Sequence, residues 1–211
     1  MMIEDNVLTA PGGREAKRDA ILDAARTVFL EVGFGAASMD AIANAAKVSK
    51  QTVYNHFGSK EELFAAMIRS SCDRMLAAME QAAKSGKPED TLRAVAWQVM
   101  DKLFSKDRMS LYRILMAEVQ RFPELGKIFY ECGPQVTRKY LANFFAEQTS
   151  RGLLKVEKPH IAAEQFFGML SGCHFKAQLG IETAPSREAI DEYVESAVAL
   201  VMRAYSVSTK R

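Results

Sequence analysis

Within residues 50–56, six side chains can donate or accept hydrogen bonds: Lys50, Gln51, Thr52, Tyr54, Asn55 and His56. Val53 alone interrupts them, and Phe57, four residues on, joins it as an apolar anchor on one side of a short helix. A helix needing only stability would hold more Ala, Leu and Glu. This one presents donors and acceptors, the chemistry of meeting base edges and phosphates. Bond-making chemistry has less to work with. His56, His160 and His174 fall in separate segments, and no HExxH, GxSxG or P-loop pattern occurs. Cys72, Cys132 and Cys173 lack zinc-ligand spacing, so reduced thiols are expected and no metal or other cofactor is indicated. An all-helical enzyme is the weakest reading.

Apolar residues recur at helical spacing throughout, and no alternating run is long enough for a sheet. Ile21, Ala25, Val28, Phe29 and Val32 form the stripe of a first helix over 14–32. Gly33 stands where a helix end wants a left-handed residue, and Phe34 can fold back onto the last turn. Ser38 caps a short second helix carrying Met39, Ile42, Ala43 and Ala46. Ser49 caps the polar third helix, which ends at Gly58. Ser59 with Glu62 makes a capping box for a long fourth helix ending near Gly86. Pro88, Pro123 and Pro159 suit first turns of later helices, Gly133-Pro134 a break, and a last helix lies between Pro185 and Tyr205. The expected fold is all-α, with about nine helices. Its domains are a flexible arm (1–13), a helix-turn-helix (14–58), a connecting helix (59–86) and a helical bundle (87–211). Residues 206–211 are expected to be floppy.

The chain has 211 residues, 48% hydrophobic and 26% charged, enough to bury a core. Net charge is +2, so any nucleic-acid argument rests on where the charges sit. Arg14, Lys17, Arg18, Lys47, Lys50 and Lys60 lie at segment ends that a helix-turn-helix turns toward DNA, while Asp19, Asp23, Glu31 and Asp40 balance the count. Scattered charges on a solvated surface would have the same composition; the clustering favours the interface. The first 13 residues do not resemble a signal peptide and no apolar run reaches membrane-spanning length, so a cytoplasmic location with no membrane partner is expected.

The stretch AILDAARTVFLEVGFGAASMDAIANAAKVSKQTVYNHFGSKEELFAAM resembles the N-terminal domain of the TetR/AcrR family of repressors. RFPELGKIFYECGP and AAEQFFGML resemble the C-terminal domain of an efflux-linked branch. The resemblance implies a double-stranded DNA operator as partner, a homodimer, and release by a small apolar or amphipathic effector. An activator, or a ligand-independent DNA-binding protein, is the alternative. It implies phosphate contacts for Ser38, Tyr54, His56 and Lys60, base approach for Gln51 and Thr52, and reading roles for Lys50 and Asn55. His56 could instead be a core or cap histidine; its place beside Tyr54 and before Lys60 favours the interface. Lys47 departs from the pattern, since many members have glycine in that turn. A left-handed lysine there would cost about 1–2 kcal/mol.

Trp97, Met100, Phe104, Tyr112, Leu115, Met116, Phe122 and Phe129 load the middle helices with large adaptable side chains. Core packing accounts for most of them. A ligand pocket is the functional reading, with Gln148, Cys173, His174 and Gln178 as orienting groups. The last two helices are apolar on more than one face, with Gly168 and Gly172 four apart, which predicts a subunit interface there.

Overall fold

A computed structural model describes residues 11–82, 86–181 and 184–207. Among them are eleven helical segments and no strand beyond an isolated bridge between Leu154 and Ser206. The helices are α1 (Pro11–Ala36), α2 (Met39–Ala45), α3 (Lys50–Phe57), α4 (Lys60–Ala82), α5 (Pro88–Phe104), α6 (Lys106–Glu118), α7 (Pro123–Cys132), α8 (Pro134–Ser150), α9 (Pro159–Gly172), α10 (Phe175–Gln178) and α11 (Arg187–Tyr205). The count exceeds the expected nine partly because the segment after Pro159 divides into α9 and the single turn α10. The chain falls into two compact units, divided between Met67 and Ile68 inside α4.

In the first unit, Ile21, Ala25 and Phe29 are fully buried along α1. Gly33 breaks α1 with φ 78°, and Phe34 turns back onto Phe29, their rings stacked 5.6 Å apart. Phe64 meets both rings edge-on at 5.6 Å, an arrangement worth about 0.5–1.5 kcal/mol per pair beyond area burial. Val32 is a correction to the expected stripe: it is 52% exposed, because the stripe turns away from the core by the last turn. The arm also needs correcting. Residues 11–13 belong to α1, and the rest of it lies outside the described residues.

The second unit is built around Leu92, Val95, Ala96, Val99 and Met100 of α5, Leu141 and Phe145 of α8, Phe166 and Leu170 of α9, and Val194 and Val198 of α11. Pro88, Pro123, Pro134 and Pro159 all occupy first turns, where the missing N–H costs nothing. Gly133 separates α7 from α8; a Cβ on it would stand 2.8 Å from the Phe129 carbonyl oxygen, so the junction requires glycine. Arg93 of α5 ties the bundle's outer edge by donating to Glu195 of α11, 3.0 Å from Nη2 to Oε2. The C-terminal tail is partly ordered: Ser206 pairs with Leu154, and the Lys155 N–H donates to the Tyr205 carbonyl at 2.8 Å.

Candidate nucleic-acid interface and ligand cavity

Backbone capping sets the turn between α2 and α3. Ser38 accepts from the Ala41 N–H at 3.1 Å and opens α2. The helix closes with the Val48 N–H on the Ala43 carbonyl at 3.0 Å and the Lys47 N–H on the Asn44 carbonyl at 3.1 Å, a Schellman pattern that needs a left-handed residue between. Lys47 is that residue, with φ 55°. Ser49 then accepts from the Thr52 N–H at 3.1 Å and opens α3. Two caps and one strained residue thus fix the angle between two helices too short to be stable alone.

Val53 and Phe57 are buried under α3, and Ile42 and Ala43 under α2. This leaves Lys50, Gln51, Tyr54 and Asn55 exposed on one face of α3, at the i, i+1, i+4, i+5 spacing of a single stripe. The face is internally ordered: Gln51 Nε2 donates to Asn55 Oδ1 at 2.8 Å and Lys50 Nζ to Asp40 Oδ2 at 2.9 Å. The Asp40 hydrogen bond raises the Lys50 pKa. His56 is half-buried, and burial first, then Arg14, Arg18 and Lys17 of α1, lowers its pKa. The start of α1 is therefore a basic flank to the end of α3.

Two further candidate contacts are engaged within the fold. The Thr52 hydroxyl lies 2.8 Å from that of Ser49, at the cap. Lys60 is half-buried, and its ammonium donates to the carbonyls of Phe34 at 2.8 Å and Ala37 at 3.0 Å while lying 4.5 Å over the Phe34 ring. It closes the C-terminal end of α1, where carbonyls have no helical partner. In the sequence Asp40 stands out only as a balancing charge; in the fold it is the partner of Lys50.

Within the second unit a cavity of about 240 Å³ opens among α4 to α10. Tyr112, Phe129, His174 and Gln178, four of the candidate pocket residues, line it. His174 places Nδ1 against the Ser171 carbonyl and Nε2 against the Gln178 amide nitrogen, so Nδ1 carries the proton and Nε2 accepts. Burial holds its pKa below the usual histidine value, with Arg108 acting in the same direction. Met100, Phe104 and Cys173 border a different cavity, of about 200 Å³, against Ile190 and Tyr193. The remaining candidates line neither. Leu115 is buried core, and Trp97 is half-buried under the Arg187 guanidinium, 4.5 Å from the ring. Met116 is 46% exposed; Gln148 is buried, and its main-chain carbonyl accepts from the Leu153 and Leu154 N–H groups in the turn after α8.

Sequence reasoning missed the cations in the larger cavity: Lys102, Arg108 and Arg138. Arg108 lies in KDRMSLYR, which has the composition of a solvated helix face, so nothing in the sequence marked it. The three cysteines are free thiols. Burial raises the pKa of Cys72 and pushes that of Cys173 up to about 11, which keeps both protonated at neutral pH. Among the described residues no group of His, Cys, Asp and Glu could hold a metal, and no helix is long and apolar enough to cross a membrane.

Comparison with known proteins agrees with this geometry. Residues 21–67 match the family described as bacterial regulatory proteins, tetR family, and residues 90–207 match the AefR-like transcriptional repressor C-terminal domain. The transcriptional activator FasR of Mycolicibacterium smegmatis is 40% identical over 72 residues, 34% of this chain and 33% of that protein. The chain thus spans about a third of the length of that curated relative. The solved flavonoid-responsive regulator FrrA superposes with a TM-score of 0.76 at 34% identity, covering 92% of this chain and 100% of that one. A TetR-family regulator from Mesorhizobium loti superposes with a TM-score of 0.79 at 29% identity, covering 92% and 98%.

Proposed function

The chain belongs to the TetR family of transcriptional regulators, and from that premise we propose that it is a repressor which binds a palindromic operator as a homodimer and is released by a small molecule held in the α4–α10 cavity. The observation that carries the reading is the exposed row Lys50, Gln51, Tyr54 and Asn55, held outward by buried Val53 and Phe57. In the proposed division, 14–58 meets DNA, 59–86 connects, and 87–211 holds the effector and the partner subunit. Gln51, locked to Asn55, is the base reader. Tyr54, Ser38 and half-buried His56 are the phosphate contacts.

Three further features support it. Cys72 places α4 on the cavity wall, and α4 starts directly after the recognition helix. An effector would therefore press on the helix that carries the DNA-reading unit. Its 23 residues make a lever of about 35 Å. Phe175, Leu179, Ile181, Tyr193 and Leu200 are exposed on or beside the last helices, and the space around Gly168 and Gly172 is open. That surface is the proposed dimer face. The outer side of α9 is more polar than the sequence suggested, exposing Glu164 and Gln165 beside Ile161, so most of the apolar contribution falls to α11 and to the residues around α10.

FasR, a named activator, keeps activation as the alternative; the position of the operator relative to its promoter separates the two. Selection of bound sites from random duplexes, followed by affinities over single-base variants, tests the DNA-reading assignment. Tyr54→Ala weakens binding to all variants alike. Gln51→Ala and Asn55→Ala both relax preference at the same base pair, by about 1–3 kcal/mol. Equal losses over the whole panel for Gln51→Ala and Tyr54→Ala refute it.

A further inference from the structure

The α4–α10 cavity combines aromatic walls with the guanidiniums of Arg108 and Arg138. Arg108 is half-buried against it, the guanidinium carbon 4.2 Å above the Phe129 ring. Its Nη2 lies 3.4 Å from where a Cβ on Gly133 would stand, so the glycine makes room for it. Among the described residues no carboxylate or carbonyl accepts from this guanidinium. The groups that bear on its charge are burial, which lowers its pKa, and the neighbouring Cys72 thiol. Arg138 faces the same cavity. It donates through Nε to Glu164 at 2.6 Å, lies 4.2 Å over the Phe167 ring, and keeps a buried Nη1 with no hydrogen-bond partner. No Asp or Glu lines the cavity among the described residues.

An unpaired buried cation is strongly unfavourable, and buried N–H groups are nearly always satisfied. Arg108, which has no acid partner, and the unsatisfied Nη1 of Arg138 line one cavity, each guanidinium over an aromatic ring, and together they supply the donors of a fork that would suit a planar anion. We propose that the effector is a small aryl carboxylate, its carboxylate accepting from Arg108 and from Nη1 of Arg138, and its ring seated among Tyr112, Phe129 and Phe167. The cavity volume equals that of about eight liquid waters, which suits a molecule of on the order of ten non-hydrogen atoms. His174 stays neutral beside the fork, its Nε2 already occupied by Gln178, so the arginines are the groups that meet the anion. The inference rests on reading this cavity as the effector site and narrows it to one charge class.

Calorimetric titration of the intact chain with trans-cinnamate and 1-naphthylacetate, each against its primary amide, tests it. Acid and amide match in shape and differ in charge at pH 7.5. The acids should bind at least tenfold tighter than their amides, the loss of one charge-assisted contact being 1.4 kcal/mol or more. Arg108→Met should shrink the acid's advantage over the amide, Arg138 holding the remainder, and should raise Tm by about 2–4 °C by removing a half-buried charge that has no acid partner. Amides binding as tightly as the acids, or no binding by either acid at millimolar concentration, overturns the proposal. Operator release, followed separately by fluorescence anisotropy, keeps the two readings apart. Acids that bind without releasing operator leave the anion site standing and remove the effector role. Amides that bind better and release operator keep the effector role and overturn the anion site.

Discussion

Lys47 is the left-handed residue of the turn that sets α2 against α3, with φ 55°, and its side chain is exposed and makes no hydrogen bond or ion pair among the described residues. A side chain with a Cβ costs about 1–2 kcal/mol in that conformation. Glycine removes the cost but loses about 0.5–1 kcal/mol more backbone entropy on folding. Lys47→Gly should therefore stabilise the chain by about 0.5–1 kcal/mol, raising Tm by about 1–4 °C for a protein of this length. Lys47→Ala keeps the Cβ and the strain while removing the charge, so it should leave Tm unchanged. Scanning calorimetry of the three proteins checks both. A rise with alanine equal to that with glycine refutes the argument, because the cost would then belong to the lysine's charge rather than its backbone. The same variants test whether function retains the lysine. If Lys47 touches a phosphate, both substitutions lower operator affinity and reduce the salt slope by about one. If not, glycine yields a more stable protein with unchanged binding.

Lys60→Met should destabilise the chain by about 1–3 kcal/mol, since it removes a charged donor from the Phe34 and Ala37 carbonyls, and its operator affinity should keep the wild-type salt slope. An unchanged Tm together with a reduced slope would make Lys60 a phosphate ligand instead. Sedimentation equilibrium at micromolar concentration should give twice the 23.5 kDa chain mass, and Leu200→Glu, on a side chain 53% exposed, should shift it to the monomer with little change in helicity. A wild-type chain found at 23.5 kDa alone refutes the dimer.

What could be read in advance from the sequence follows from locality. Ser38, Ser49, Gly33 and the prolines at helix first turns act through hydrogen bonds and φ angles within four residues of themselves, so their positions in the sequence suffice to place them. The α3 face is local in the same sense: burying Val53 and Phe57 forces Gln51, Tyr54 and Asn55 outward whatever else the fold does. The cavity is not local. Helical spacing says that Met100, Phe104, Tyr112 and Leu115 point inward, but not which neighbour each meets. Two of them border the smaller cavity, one the larger, and Leu115 neither. The break before α10 was hidden because AAEQFFGMLSGCHF continues its apolar pattern across Gly172, and a pattern of types carries no mark of where the backbone stops.

Arg108 and Lys60 show the same limit from the polar side. Each is a long cation in a charged stretch; composition assigns Arg108 to solvent, and the family resemblance implies a phosphate contact for Lys60. Yet one closes the end of α1 through backbone carbonyls more than twenty residues away in sequence, and the other lies over Phe129 facing a cavity. A flexible stem lets a charge choose a distant partner, so the more rotatable bonds a functional side chain has, the less its position in the sequence fixes its role. Tyr54 and Gln51 could be placed on the outer face because that face is fixed by what lies beneath it. Arg108 could be assigned only once α7, α8 and the turn at Gly133 stood around it.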